Sequence, residues 1–429
     1  MKNKLIIAAG ILFFLSCFSC TEKRQHNADN TLNEIFQLTP AEDIIKVIKS
    51  DVVREYNLSL AAVGDNLYHD SLIRNSYRNG VYDFSNVYTE VKDIITNADL
   101  AFINQETVMA GAEFGYSGYP LFNTPQQLAY NLVDAGFDIM NLANNHAMDM
   151  GRNGLHSTLD FLDTIKELTV IGARKQGESA RIVTKNNITL GFLSYTFSLN
   201  GIPLPRDEPN LVSMIDRDKM AQEIRDLKPL CDFLIVSMHW GTEYLLQPDR
   251  DQLSLANFLA EQNVDLVLGH HPHVLQRTEK IPRPDGKETL VFYSLGNFAS
   301  QQRERERIIG MLAFINIKKT ESISSGSAES PLLELSITDY GIMPVVTHYD
   351  RNFANTKVYP LYSYTRELLI NHGYLIHDDN SLTMDFFYNV MQRLNTPVIM
   401  ENPYKEKMLR RQEYYLREMP YFNDFYSEK

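Results

Sequence analysis

Between residues 58 and 298, apolar runs alternate with stretches of helical periodicity, and this alternation constrains the fold more than any other feature. The runs are 58–64, 100–105, 138–144, 168–172, 188–196, 232–240, 265–271 and 290–298. Most are apolar almost throughout, as strands covered on both faces must be. The helical stretches, 124–136, 154–165, 220–227 and 251–263, repeat apolar residues at three and four. Strands alternating with helices predict an α/β sandwich with buried sheets. Later strands are expected over 310–318 and 333–346, and "SISSGSAES" (322–330) reads as a surface loop. The stretch 355–429 is rich in Tyr, charge and helix formers, which predicts a mainly helical C-terminal extension.

The N-terminus is read apart from this core. Lys2 and Lys4 precede an apolar run from Leu5 to Leu15. That run is shorter than the roughly twenty residues a membrane-spanning helix needs, and it fits a signal-peptide core. Phe14-Leu15-Ser16-Cys17 has the form of a lipoprotein signal, with Cys17 as the lipidated residue and Cys20 as the alternative. An exported protein held in the cell envelope by a lipid anchor follows. Residues 1–16 would be signal, 17–56 a tether with a short helix, 57–350 the α/β domain and 351–429 the extension. The stretch 39–56 carries helix-start chemistry: Thr39 to cap, Pro40 in the first turn, Glu42 and Asp43 near the positive end. The remaining cysteine, Cys231, reads as a buried apolar filler. A net charge of -13 excludes nucleic acid held by bulk attraction, because neutralising phosphates takes Lys and Arg.

Polar residues recur where the apolar runs end. Asp65 follows "LAAVG", and Glu106 follows "LAFINQ". Asn144, Asn145 and His146 close the run 138–144, and His239 closes "FLIVSM". His270, His271 and His273 follow "DLVLG", where alternate side chains of an extended segment could face one cavity. Ligands of open α/β sheets bind outside the carboxyl ends of the strands. Singly, each residue has an ordinary explanation as a turn, cap or core residue. Together they form one donor set of carboxylate, imidazole and amide oxygen, which suits first-row divalent metals. Such a set can hold two ions about 4 Å apart, the arrangement that clamps both oxygens of a phosphoryl transfer. His26, His69, His156, His348, His372 and His377 lack this placement.

The motifs "AAVGDN", "INQET", "LANNHAMDMG", "SMHWGTEY", "DLVLGHHPHVLQ" and "FYSLGNF" resemble, in order, those of the CapA family. These are capsule or poly-γ-glutamate biosynthesis proteins related to the calcineurin-like metallophosphatases. The resemblance runs from about residue 57 to 300. It implies a double-sheet α/β/β/α sandwich and a metal-dependent phosphoesterase-like site holding one or two divalent ions, with Mn, Fe, Zn and Mg all left open. Asp65 and His273 would ligate the first ion, Glu106 would bridge, and Asn145, His239 and His271 would hold the second. His146 would be the off-metal imidazole that protonates the leaving group. Asn144, Glu243 and Asn297 would line the pocket for substrate. His270 falls outside the H-x-H spacing of His271 and His273. One departure stands out: the superfamily's Asp-x-His has Leu67 in place of the histidine, so the first ion has one ligand fewer. Implied partners are an anionic polymer or phosphoester, the membrane, and membrane-bound polymer synthesis proteins. The competing reading is a non-catalytic member that binds or tethers polymer in the same cleft.

Overall fold

The computed structural model describes residues 52–175, 181–323, 332–376, 382–394 and 396–404. The stretches read as signal sequence and tether, with Cys17, Cys20 and His26, lie outside the described residues, as do residues 324–330 of the expected loop, His377 and the residues past 404. The chain divides into two compact units, Met1–Tyr56 with Lys319–Glu334, and Asn57–Lys318 with Leu335–Lys429. Within the first unit, Tyr56 donates to Glu321 Oε2 at 3.3 Å.

The strands are β1 (Val52–Asn66), β2 (Tyr77–Arg78), β3 (Val81–Tyr82), β4 (Leu100–Gln105), β5 (Ile139–Asn141), β6 (Thr169–Ile171), β7 (Arg181–Lys185) and β8 (Ile188–Thr196). They continue with β9 (Phe233–His239), β10 (Leu266–His270), β11 (Thr278–Pro282), β12 (Glu288–Phe292), β13 (Asn297–Ala299), β14 (Ile309–Ile323), β15 (Leu332–His348) and β16 (Lys357–Pro360). The helices are α1 (Asp70–Asn75), α2 (Ser85–Tyr88), α3 (Lys92–Asn97), α4 (Gln127–Asp134), α5 (Gly151–Leu162), α6 (Arg217–Leu227), α7 (Arg250–Glu261), α8 (Arg366–Asn371) and α9 (Met384–Arg393).

One sheet has the order β16-β15-β14-β1-β4-β5-β6, with β13 also paired to β1. The other has the order β11-β12-β10-β9-β8-β7. Strands β1, β4, β5 and β6 run parallel, and so do β8, β9, β10 and β12. Alternate residues explain the layering. In β4, Ala101 and Ile103 pack with Leu72, Ile94, Leu128 and Leu155 from the helices over the first sheet. In β9, Leu234, Val236 and Met238 pack with Ile224 of α6 and Leu259 of α7. The opposite faces of the sheets meet. Phe102 of β4 stacks on His270 of β10 at 5.7 Å, and Ser194 of β8 donates to Asn141 Oδ1 of β5 at 2.5 Å. Helix, sheet, sheet, helix is the expected sandwich.

Three readings change. The run 290–298 is two strands in two sheets: β12 pairs with β10, and β13 pairs with β1. The crossover turns at Gly296, whose φ is 65°. It passes so close to β1 that a Cβ on Gly64 would lie 1.9 Å from Gly296 O, so only glycine fits there. Residues 52–56 begin β1 and are not helix, and the rest of the stretch 39–56 lies outside the described residues. Cys231 is half-buried, and burial pushes its thiol up to about 11, so it stays protonated.

The C-terminal segment is mixed within the described residues. β16 extends the first sheet beside β15, and α8 and α9 follow. His372 is fully buried there. Its Nε2 faces the Thr347 carbonyl at 3.1 Å, and its Nδ1 accepts the Tyr374 N–H at 3.0 Å. A second ring proton would displace the Tyr374 bond. Burial, with His348 nearby, accordingly lowers its pKa from 6.5 to about 3. A lowered histidine contributes stability that is present above its unfolded pKa and lost as pH falls toward the folded one. Between pH 6.5 and 3 this residue should cost the fold ~1.4 kcal/mol per pH unit. Denaturant melts of metal-free protein should therefore show a shallower acid limb for His372→Gln. Equal slopes would remove His372 as a cause of acid lability.

Candidate metal centre

The parallel strands bring the strand-end residues together. Asp65 of β1 stands in register with Asn104 of β4 and Asn297 of β13. His239 of β9 stands beside His270 of β10. Glu106, Asn145 and His146 leave the ends of β4 and β5, and His271 and His273 leave β10. All of these side chains are buried, with Asp65, Glu106 and His239 at 0% exposure.

Two overlapping donor groups result. The ligand atoms of Asp65, Glu106 and His273 lie within 4.8 Å of one another, as do those of Glu106, His239 and His271. Glu106 belongs to both. Its Oε1 lies 3.5 Å from His239 Nε2 and 3.6 Å from His273 Nε2. Neither of its oxygens accepts a hydrogen bond, although both are buried. A buried carboxylate without donors is costly and calls for a cation. Asn145 Oδ1 sits 2.9 Å from His239 Nε2, so the amide oxygen joins the second group. The residues present fit a pair of divalent ions sharing Glu106.

The electrostatics point the same way. Burial opposes the charge on Asp65, but His270 and His273 outweigh it and hold the carboxyl well below the usual range. Burial, aided by the charges of Asp65, Glu243 and Asp149, raises Glu106 well above that range. Burial lowers His239 well below an ordinary imidazole and takes His271 to about 3, with neighbouring imidazoles adding to the effect. Neutral imidazoles are what metal ligation needs.

The segment after β10 is not extended. His271 and His273 have φ of 95° and 58°, a region that non-glycine residues seldom occupy. The bend aims both rings at Glu106. The His271 N–H reaches Asp65 Oδ2 at 3.3 Å, and Pro272 O accepts from the Tyr244 N–H at 2.8 Å. Backbone held in such conformations is a recurrent feature of functional sites. His273 Nδ1 lies 3.0 Å from both Asn297 Oδ1 and Asp65 Oδ2, which leaves Nε2 toward Glu106.

His146 stands at the edge of these groups, 7% exposed. Its Nδ1 meets Asp149 Oδ2 at 2.8 Å, and its ring packs edge-on against Phe122 at 4.7 Å. The Phe122 N–H in turn donates to Asp149 Oδ2 at 2.7 Å. A carboxylate on Nδ1 fixes the ring and keeps Nε2 for a proton, the layout of an oriented acid or base. Asn144 braces the turn: its Nδ2 donates to Gln105 O and its Oδ1 accepts the His146 N–H. Asn297 is 0% exposed, and its Nδ2 donates to Arg307 O and Gln302 Oε1, so its amide positions His273 and the loop beyond. Glu243 is exposed, at the rim. His270 is fully buried on Phe102, 3.4 Å from Asp65 Oδ1, and joins none of the donor groups found among the described residues.

Several contributors were not read from sequence. Asn104 Nδ2 donates to Asp65 Oδ1 at 2.8 Å, Asn141 Nδ2 donates to Asn104 Oδ1 at 2.8 Å, and Ser194 completes this buried chain across the sheets. Amides inside wholly buried strands were the available signal, since a buried amide demands partners. Asp149 had only its position three residues after His146 as a signal. His69, set aside by its placement, packs on the same Phe122 ring as His146, at 5.5 Å. Burial lowers its pKa to about 4. Of the other histidines, His156 pairs with Glu208 and His348 with Tyr364.

The family model for "Bacterial capsule synthesis protein PGA_cap" matches residues 59–302. The chain is similar to the capsule biosynthesis protein CapA of Bacillus anthracis, 30% identical over 231 residues, covering 51% of this chain and 52% of that protein. It is also similar to the PGA biosynthesis protein CapA of Bacillus subtilis, 33% identical over 176 residues, covering 40% and 44%. The chain thus spans about half the length of these relatives. Among solved structures, a putative 5'-nucleotidase from Staphylococcus aureus aligns with a TM-score of 0.40 and 15% identity, covering 79% of this chain and 58% of that one.

Proposed function

Because the chain belongs to the bacterial capsule synthesis PGA_cap family, we propose that it is a cell-envelope lipoprotein acting in the synthesis of an anionic, poly-γ-glutamate-like polymer through a metal-dependent phosphoesterase-like site. The observation that carries the chemical part is Glu106, a buried carboxylate without hydrogen-bond donors, shared by two donor groups. Asp65, Glu106 and His273 would hold one ion, and Glu106, Asn145, His239 and His271 the other. When bound, divalent ions lower the pKa of water and polarise a phosphoryl oxygen. The protein's own residues do the rest. Asn104, Asn297 and the bend at His271 and His273 fix the ligands before substrate arrives. His146, oriented by Asp149, holds a proton at Nε2 for the leaving oxygen. Phe122 screens that ring from water.

Two measurements test this reading. Metal analysis of purified protein should find bound divalent ions, and a panel of phosphomonoesters and phosphodiesters should find a substrate hydrolysed only by loaded protein. Retention on poly-γ-glutamate with bound metal but no hydrolysis across the panel would instead support a polymer-binding member, the outcome that Leu67 favours. For the anchor, labelled fatty acid should enter the wild type, and Cys17→Ser should abolish labelling, or Cys20→Ser if that residue carries the lipid. Label persisting in the double variant would reject a lipoprotein.

A further inference from the structure

The loop after β9 carries a third carboxylate to the centre. Glu243, His271 and His273 form another group whose ligand atoms lie within 4.8 Å of one another. Glu243 is the exposed member, over the two buried rings.

Its position is built, not incidental. Gly241 has φ 86° and packs where a Cβ would lie 2.5 Å from the Gln252 side chain, so the chain turns sharply after Trp240. Thr242 Oγ1 donates to Asp249 Oδ2 at 2.8 Å, at the cap of α7. On the other side of Glu243, the Tyr244 N–H bonds the carbonyl of Pro272, the residue between His271 and His273. The guanidinium of Arg307 lies 3.3 Å from the centre of the Tyr244 ring, and Arg307 is itself tied to Asn297 through its carbonyl. Residues on both sides of Glu243 are thus anchored to the metal-facing loop and to α7.

We propose that Glu243 is a metal ligand that closes the centre from the solvent side and makes good, in number, the ligand that Leu67 does not supply. This rests on the metal reading of the same site. Charge supports it. Two divalent ions bring four positive charges, and Asp65 and Glu106 answer two of them. Imidazoles ligate metal as neutral rings and answer none. A third carboxylate brings the balance nearer neutrality in a site where unpaired charge is expensive. Leu67 is fully buried, with its N–H on the Ala299 carbonyl, and offers no donor atom from its side chain.

The test is binding, without any turnover. Metal-free wild type, Glu243→Gln and Glu106→Ala would be titrated with Mn²⁺ by calorimetry and with Co²⁺ by visible absorption, and circular dichroism would establish that each is folded. Glu243→Gln should weaken at least one ion by about tenfold or more, since even partners outside the coordination sphere are worth 10–100-fold. Its Co²⁺ spectrum should change. Affinities within twofold of wild type together with an unchanged Co²⁺ spectrum would overturn the proposal. If Glu106→Ala alone loses metal, the centre stands and the Glu243 ligand falls. If neither variant loses metal, the centre itself is misassigned and the proposal falls with it.

Discussion

Glu106→Ala should leave the protein without its metal. The carboxylate is shared by two donor groups, so its loss would remove a ligand from each ion these groups could hold and would leave two cations with less charge between them. The expected loss exceeds the 10–100-fold typical of second-sphere partners. Bound metal per chain after dialysis is the readout, and any hydrolysis should disappear with it. The effect on the metal-free fold has the opposite sign. Burial raises the Glu106 pKa, and a raised carboxyl contributes stability that is lost as pH rises through its folded pKa. In chelator at neutral pH, Glu106→Gln should therefore be more stable than wild type, because the amide removes a carboxyl that the buried site must either keep protonated or hold charged without a partner. Retained metal in Glu106→Ala, or a less stable metal-free Glu106→Gln, would contradict the role given to this residue.

His146→Ala should separate chemistry from metal binding. The ring belongs to none of the donor groups among the described residues, and its contacts with Asp149 and Asn200 are both at Nδ1. Metal content should stay near wild type. If the protein is a hydrolase, turnover should fall about a hundredfold or more, the scale of a positioned proton donor. Asp149→Asn should fall less, because the ring remains but loses its orienting charge. If the protein only binds polymer, retention on poly-γ-glutamate should weaken in Glu106→Ala and change little in His146→Ala. Hydrolysis surviving both Glu106→Ala and His146→Ala would reject this site as the catalyst. Capsule formation surviving both would deny it the biological role.

The alternation of apolar runs with amphipathic stretches was legible because strands buried on both faces are mostly apolar. β4 and β8 fall on the runs read from sequence, and β9 and β10 differ from theirs by a residue at either end. The metal-facing residues were legible for a related reason. A polar side chain at the end of a buried strand breaks the pattern and needs a use. Local chemistry misled where partners lie far away in sequence. The run 290–298 has one composition but serves two sheets, because close contact with β1 at Gly64 and β10 at Gly269 forces a crossover between Phe292 and Asn297.

By itself, then, the sequence determined the sandwich, the strand ends that carry the chemistry and the donor types offered there, because periodicity and residue chemistry are local properties. Tertiary structure decided the rest. It set Glu106 between two groups of imidazoles, turned His271 and His273 through positive φ, placed Asp149 against His146, linked Asp65 to Ser194 through two amides, and swung Glu243 over His271 and His273. Most of these contacts join segments far apart in the chain. They form only once both sheets are packed, because a buried polar atom takes its partner from whatever the fold brings beside it.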